Sequence, residues 1–390
     1  MATPTKHAFL SASKAHRFIA CTAAPHFEAQ FPEGPPSPYA AEGTLAHSIC
    51  ELYARKHLVE PMSKRKFNSQ LKKLQAKELY DPEMLKTAEA YVDFLSAKVM
   101  TYDSMPVVTL ETRVDFSDIV PEGFGTCDCA MVGGDTLSIV DYKHGKGVPV
   151  AAKDNPQLRL YAWGALRLFR PFYGDNIQRV SMSIFQPRLS TELNEEALTV
   201  AELQDWAETI KPLALEAYTG PGKFVPGDHC RFCRGKAQCR ARAENNLGLE
   251  EFKGCAPDKL SDAEIGQVLT RGAHLAQWLK DVEEYATQTL LDGGVIPGYK
   301  LIEGVSKRKF DDPDAAMTTA QENGYDKALL YNYTPITLTA LEKLMGKAEF
   351  DKVMAGHVIK PPGKPKLAPE DDPKPPYSPA PTAAEFDGVA

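Results

Sequence analysis

GTCDCAMVGGDTLSIVDYKHGKG, residues 125–147, predicts two apolar strands joined by a turn at Gly133, Gly134 and Asp135. The second strand ends in Asp141 and Lys143. Because side chains alternate between the two faces of a strand, these two residues share one face. A carboxylate and an ammonium at the end of a buried strand are unfavourable unless they are paired or bind a metal. For the pair taken alone, a salt bridge is the simpler explanation.

The segments around this hairpin alternate between strand and helix patterns. Further strands are predicted at 107–116 and 179–188, and helices at 82–100, 155–169 and 199–220. The order is helix, three strands, helix, strand. It predicts an α/β fold in which helices flank a mixed central sheet.

The pattern changes after residue 250, and we divide the chain into 1–250, 251–360 and 361–390. Nine prolines fall between residues 361 and 381, among charged and small residues, so the last segment is predicted to be a disordered tail. The middle segment is predicted to be mainly helical. Its elements are a long helix at about 260–292, a short strand near 299–304 and helices near 311–323 and 336–355.

The composition is that of a globular protein, with 43% hydrophobic and 25% charged residues. No apolar run of about 18 residues is present, so no membrane span is predicted. The N-terminus lacks the continuous apolar core of a signal peptide, and we expect a cytoplasmic protein. The net charge of −7 argues against general coating of polyanions. It is compatible with a nucleic-acid enzyme that has local basic clusters, and such clusters occur at 63–77, 230–243 and 306–310.

Asp128, on the first strand of the hairpin, is placed to meet Asp141 on the second. Two close carboxylates repel each other, and a divalent cation relieves the repulsion. Oxygen ligands of this kind suit Mg²⁺ or Mn²⁺. Lys143 beside them would orient or deprotonate a water for attack on a phosphodiester. The three residues therefore predict metal-dependent phosphodiester hydrolysis.

Two helices add polar residues four positions apart, which places each pair on one helix face. His47 and Glu51 lie on the N-terminal helix, and Gln157 and Tyr161 lie on the helix after the glycine turn. Both pairs also fit ordinary packing. A single helix histidine is commonly packed, and Tyr161 continues the apolar stripe of its helix.

Four motifs in this order resemble the RecB-type branch of the PD-(D/E)XK nuclease superfamily, over about residues 8–245. The resemblance implies a restriction-endonuclease-like core in which Lys143 is the catalytic lysine. It further implies that Gln157 and Tyr161 position DNA or the active site, and that the metal ligands are His47, Asp128 and Asp141. The motifs are Gly43-x-x-x-His47, Gly125-x-x-Asp128, Asp141-x-Lys143 and Gln157-x-x-x-Tyr161.

Three other residues fit the resemblance less closely. Glu111 lies near a further acidic position of the superfamily, and Glu51 is a second candidate acid. His144 departs from the pattern, because many relatives have a small or hydroxyl residue there.

The eight cysteines include a C-x₂-C-x₅-C run at Cys230, Cys233 and Cys239. A closed tetrahedral metal site needs four ligands, and Cys21 is the candidate for the fourth. In a cytosolic chain, clustered cysteines indicate metal or redox chemistry rather than disulfides. This arrangement resembles the iron–sulfur members of the same nuclease branch, and it implies a structural [4Fe–4S] cluster. Zinc at the same site, His229 in place of one thiol, and unliganded cysteines stay open as alternatives.

The resemblance implies a metal-dependent DNA nuclease, with an exonuclease acting at duplex or single-strand ends as the main hypothesis. It also implies a role in phage-type recombination or replication, beside a phage single-strand annealing protein. One alternative is a nuclease of the CRISPR adaptation type, although those proteins are usually shorter. Another is a non-catalytic iron–sulfur DNA-binding protein, against which the intact set of Asp128, Asp141 and Lys143 counts. The oligomeric state and strand polarity are not predicted.

Overall fold

The computed structural model describes residues 8–33, 37–190, 192–248, 261–302, 312–322, 337–355 and 357–358. The chain forms two compact units, Met1–Ile302 and Glu303–Ala390. The predicted tail, the basic segment 306–310 and Cys255 lie outside the described residues.

A five-stranded mixed sheet forms the centre of the first unit, in the order β1-β2-β3-β4-β5. β3 and β4 are parallel and are connected through a helix, whereas the other neighbours are antiparallel. The strands are β1 Val107–Asp115, β2 Phe124–Gly133, β3 Thr136–Tyr142, β4 Arg179–Phe185 and β5 Glu195–Thr199.

Helices cover both faces of this sheet. Ile139 packs in a cluster with residues of two long helices on one face, and its neighbour Val140 packs in a second cluster on the other. The helices of the first unit are α1 Ala15–Ala20, α2 Ala24–Glu28, α3 Pro38–Ala54, α4 Lys64–Gln75, α5 Glu83–Val99, α6 Pro156–Tyr173, α7 Val200–Thr219, α8 Arg240–Leu247 and α9 Asp262–Leu291. The first cluster is built on α6 and α7, and the second on α3 and α5.

Local sequence signals explain the elements that carry the site. The hairpin turns at Gly134, whose φ of +56° suits glycine. Asn155 caps α6 as predicted, because its side chain accepts hydrogen bonds from the backbone N–H groups of Gln157 and Leu158. Strand β5 was not predicted. It is a short edge strand that begins with two glutamates, and such strands carry a weak pattern.

The predicted fold class, a mixed central sheet flanked by helices with a mainly helical C-terminal region, is confirmed. The second unit contains the helices Pro313–Glu322, Leu338–Met345 and Lys347–Val353. The helix predicted at 336–355 is divided by Gly346, which has a φ of +78°. The strand predicted near 299–304 is wrong for residues 299–302, which form no strand. In the described ranges, no helix combines the length and the apolar character needed to cross a membrane.

Candidate metal and catalytic site

Three side chains from three elements converge at one edge of the sheet. His47 of α3, Glu111 of β1 and Asp128 of β2 each offer a ligand atom, and these atoms lie within 4.8 Å of one another. We call these residues the three-ligand group. An imidazole and two carboxylates at this spacing are compatible with a divalent metal.

Asp128 joins three elements at this point. Its Oδ2 lies 3.3 Å from His47 Nδ1, and the same oxygen accepts a 2.8 Å hydrogen bond from the backbone N–H of Tyr142. A helix and two strands are therefore held together by a single carboxylate.

Glu111 reaches the group through an unusual backbone conformation. Its φ is +49°, in the left-handed region that residues other than glycine seldom adopt. The ladder between β1 and β2 pairs Leu110 with Cys129 and Thr112 with Cys127, which places Glu111 opposite Asp128. Backbone strain of this kind is concentrated at functional sites, where the surrounding structure maintains it.

Asp141 and Lys143 lie beside the three-ligand group, as the hairpin register predicts. Lys143 Nζ is 2.8 Å from Asp141 Oδ2. Asp141 is 2% exposed, and its buried carboxylate is compensated by the Lys143 ammonium.

Gln157 and Tyr161 complete the wall of the site from α6. Gln157 Nε2 lies 3.3 Å from Asp141 Oδ1 and 3.2 Å from Tyr161 Oη, while its Oε1 lies 3.4 Å from Lys143 Nζ. The amide thus connects the carboxylate, the ammonium and the phenol, and the structure brings all six predicted active-site residues into one region.

The two motif glycines have different roles. A Cβ on Gly125 would lie 2.8 Å from the ring of Tyr161, so only glycine lets that ring approach the sheet. A Cβ on Gly43 would meet nothing within 4 Å. Packing within the described chain therefore explains the first glycine and not the second.

Burial and charge shift the pKa values of the site in a consistent direction. Glu111 is exposed as a residue, but partial burial of its carboxylate, and then the charges of Asp128 and Glu51, raise its pKa to about 7. Burial is also the largest factor that raises the pKa of Asp141. Burial opposes the imidazolium of His47, but Asp128 outweighs it and the pKa is raised. Without a cation, the site therefore retains protons, which a metal would displace.

These shifts predict the pH dependence of stability in the metal-free protein. Glu111 binds a proton in the folded state, between its usual pKa of 4.5 and about 7, that the unfolded chain releases. The free energy of unfolding must therefore fall as the pH rises through that window. We expect the melting temperature of chelator-treated protein to fall between about pH 5 and about pH 8, and Glu111→Gln to reduce the slope. Glu78→Gln, at an exposed position, is the control, and equal slopes in all three proteins would refute the prediction.

The sequence analysis named Asp141 as a metal ligand beside His47 and Asp128, and it treated Glu111 as a weaker candidate. The close three-atom group contains Glu111, whereas Asp141 faces Lys143. The pairing of the flanking residues, which places Glu111 opposite Asp128, was the signal that could have found it. Glu51 lies near enough to raise the pKa of Glu111, but its carboxylate pairs with Arg55.

The four predicted cysteine ligands line one pocket, formed where the end of α1 meets the segment before α8. Backbone N–H groups of Val225 and Gly227 point at the sulfurs of Cys21 and Cys230, at 3.5 and 3.4 Å. His229 lines the same pocket, but its Nε2 is 2.9 Å from the carbonyl oxygen of Val225. We call Cys21, Cys230, Cys233 and Cys239 the cysteine pocket.

Basic side chains surround the cysteine pocket, and two of them belong to the basic cluster 230–243 noted in the sequence. Arg17, Lys236 and Arg242 line it, and Asp281 of α9 pairs with the last two at 2.8 and 2.6 Å. Burial raises the pKa of the Cys233 thiol to about 12, so the thiol stays protonated unless a metal binds.

The remaining cysteines lie elsewhere. Cys50 and Cys129 are buried in the cluster beneath α3 and α5, and Cys127 is buried in the cluster on the other face. The two residues that flank Asp128 therefore do not share a face, although strict strand alternation predicts that they do. The ladder is interrupted between Glu111 and Asp128, and this changes the alternation.

Helix α4 presents a basic outer surface. Its apolar residues Phe67, Leu71 and Leu74 follow one stripe toward the core. The opposite face carries five exposed polar residues, of which Lys66 lies 3.9 Å from Glu60. These are Arg65, Lys66, Ser69, Lys72 and Lys73. A helix with five basic residues and no acidic ones suits a polyanion.

Comparison with known proteins matches a family and several distantly similar structures, among them two crystal structures. The family described as "Protein of unknown function (DUF2800)" matches residues 7–375. A crystal structure of a candidate exonuclease from Eubacterium rectale is 11% identical and covers 66% of this chain and 92% of its own, with a TM-score of 0.34. The crystal structure of SSO0001 is 14% identical and covers 51% of this chain and 98% of its own, with a TM-score of 0.24. TM-scores this low support no argument about function, which is therefore argued from the geometry of the site.

Proposed function

The chain belongs to the DUF2800 family, and we propose that it is a divalent-metal-dependent DNA nuclease of the PD-(D/E)XK type, close to the RecB/AddB branch. We assign the activity to residues 1–250. The observation that supports this most strongly is the three-ligand group placed directly beside the Asp141–Lys143 pair. A metal alone would be compatible with many proteins, whereas a lysine next to it on the same edge suits hydrolysis of a phosphodiester.

The proposed ligands are His47, Asp128 and Asp141, with Glu111 added by the geometry. Mg²⁺ or Mn²⁺ suits this oxygen-rich set and would supply Lewis-acid stabilisation of the phosphate. The carboxylates of this set provide the negative charge that a divalent cation needs. The alternatives of a single structural salt bridge or a packed histidine do not explain why all these groups converge.

Lys143 acts here as a cation rather than as a base. Burial works against its charge, but the Asp141 carboxylate outweighs burial and raises the pKa of Lys143. The ammonium therefore keeps its proton at neutral pH and can orient the attacking water or a phosphate oxygen. Gln157, which contacts both Lys143 and Asp141, fixes the direction of this ammonium.

We propose that the substrate is DNA and that the enzyme is an exonuclease. The outer face of α4 supports contact with phosphates. The resemblance to phage-encoded nucleases implies recombination or replication, with a single-strand annealing protein as partner, and binding of such a protein to the purified chain would test that step.

The experiment compares three substrates with protein purified without oxygen: linear duplex, the same duplex closed into a circle, and single-stranded DNA. Each is incubated with Mg²⁺, with Mn²⁺ or with a chelator. We expect cleavage only with metal and only of DNA that has ends. Cleavage of the closed circle would show an endonuclease instead, and the absence of metal-dependent cleavage on all three would refute the nuclease.

We further propose that the cysteine pocket holds a structural [4Fe–4S] cluster. Four thiolates around such a cluster carry net negative charge, which suits the basic lining of the pocket. Zinc bound by the same four cysteines is the alternative that metal analysis would distinguish.

A further inference from the structure

A polar network surrounds His144, the residue that the nuclease resemblance leaves unexplained. The side chain is buried, with Nδ1 2.8 Å from Tyr142 Oη and Nε2 3.2 Å from Glu42 Oε1. Because a carboxylate only accepts hydrogen bonds, Nε2 carries a proton and donates it to Glu42. His144 therefore links the end of β3 to helix α3.

Glu42 lies on α3 five residues before His47, in a part of the helix with little apolar packing. Residues 37–40 and Thr44 are exposed, and Leu45 is the first buried side chain of the helix. Apolar contacts therefore begin only next to His47. Glu42 connects this turn by ion pairs to the chain that follows β3 and β4.

Arg188, which follows β4, completes this arrangement. Its side chain is 9% exposed, and its terminal nitrogens lie 2.9 Å from Glu42 Oε1 and 3.0 Å from Glu83 Oε2 at the start of α5. A buried guanidinium needs such partners, because an unpaired buried charge is strongly unfavourable. Glu42, His144 and Arg188, which we call the clamp, therefore join α3 and α5 to the chain that follows β3 and β4.

Tyr142 connects the clamp to the three-ligand group. Its hydroxyl contacts His144, and its backbone N–H donates to Asp128 Oδ2 at 2.8 Å. Its ring also packs edge to face on His47, with centroids 5.2 Å apart. Tyr142 thus contacts the clamp and two members of the three-ligand group.

We propose that the clamp is a positioning device: it fixes α3 against β3, and so sets where His47 stands relative to Asp128 and Asp141. The inference rests on the proposed function, because it concerns the metal affinity of the same site. Residues that contact metal ligands and fix their orientation typically contribute about 10–100-fold to the affinity for the metal.

The test measures Mn²⁺ binding to the full chain without DNA, from the electron paramagnetic resonance signal of free Mn²⁺. His144→Ala and Glu42→Ala are expected to raise the half-saturating Mn²⁺ concentration by about 10–100-fold. Glu42 is half-buried on a helix surface, so its variant tests the clamp with the core intact. His144→Gln, whose amide can still donate to Glu42, is expected to recover part of the affinity.

Gln186→Ala is the matched control. Gln186 is buried and supports the loop after β3 through bonds to the carbonyl oxygens of Gly145 and Val148. Among the described residues, the side-chain hydrogen bonds of Gln186 go to that loop and not to α3, so its variant should bind Mn²⁺ as the wild type does. If the wild type, His144→Ala and Glu42→Ala bind Mn²⁺ with equal affinity, the clamp proposal is refuted and the proposed metal site stands. The clamp proposal is also refuted if Gln186→Ala loses as much Mn²⁺ affinity as the clamp variants do. A wild type that binds no Mn²⁺ would overturn the proposed metal site, and the clamp with it.

Discussion

Lys143→Ala is expected to lower the rate of Mg²⁺-dependent DNA cleavage by about 10³-fold, the order found when a group that stabilises a transition state is removed. Lys143 is proposed to provide the positive charge beside the reacting phosphate, and it is not one of the proposed metal ligands. Mn²⁺ binding should therefore persist in the variant, although Asp141 loses its ion-pair partner. Initial rates under saturating metal, with Mn²⁺ binding measured on the same preparation, separate the two effects.

Lys146→Ala is the control for this prediction. Lys146 lies three residues further along the same loop and is exposed, so it shares the local sequence without the contact to Asp141. Its variant should cut DNA at the wild-type rate. A Lys143→Ala protein that retains full activity would remove the lysine from the proposed chemistry.

Cys21→Ser is expected to remove the iron and the visible absorption of anaerobically purified protein and to lower its melting temperature by about 10 °C or more. A link between Cys21 and Cys230 closes a loop of about 200 residues, and a covalent cross-link of that length stabilises by about 5 kcal/mol in the chain-entropy estimate. In a domain of this size, each kcal/mol corresponds to about 2–4 °C. Iron analysis and calorimetry measure the two effects.

Cys50→Ala provides the comparison, because Cys50 is buried in the core away from the cysteine pocket. Its variant should keep the iron and lose only the modest stability of a small core substitution. A colourless wild-type preparation that carries zinc would refute the iron–sulfur proposal. Iron that survives in Cys21→Ser would remove Cys21 from the ligand set.

The parts of the fold that the sequence predicts are those with local signals. The hairpin follows from two apolar runs around Gly134, and the start of α6 follows from Asn155 and Pro156. The meeting of Asp128 with the end of β3 follows from hairpin register, since a tight turn fixes which residues face each other. Each of these features depends only on residues that are close together in the sequence.

The parts that the sequence did not predict depend on distant partners. Glu111 enters the three-ligand group through a left-handed backbone conformation that no propensity rule assigns to glutamate. His144 pairs with Glu42, 102 positions away in the chain. Such a partner is selected only when α3 packs on the sheet, so the sequence pattern around His144 shows a departure from a motif but not its reason.

The most direct test of the account compares DNA cleavage by the wild type and by Asp128→Asn, because Asp128 is the carboxylate that joins α3, β2 and β3. We predict that the wild type cuts linear duplex only when Mg²⁺ or Mn²⁺ is present. Asp128→Asn should lose Mn²⁺ affinity and cleavage together, each by about 10²-fold or more. Asp135→Asn, at the exposed hairpin turn, should behave as the wild type does. Cleavage by Asp128→Asn at the wild-type rate, or cleavage by the wild type in the presence of a chelator, would contradict the account.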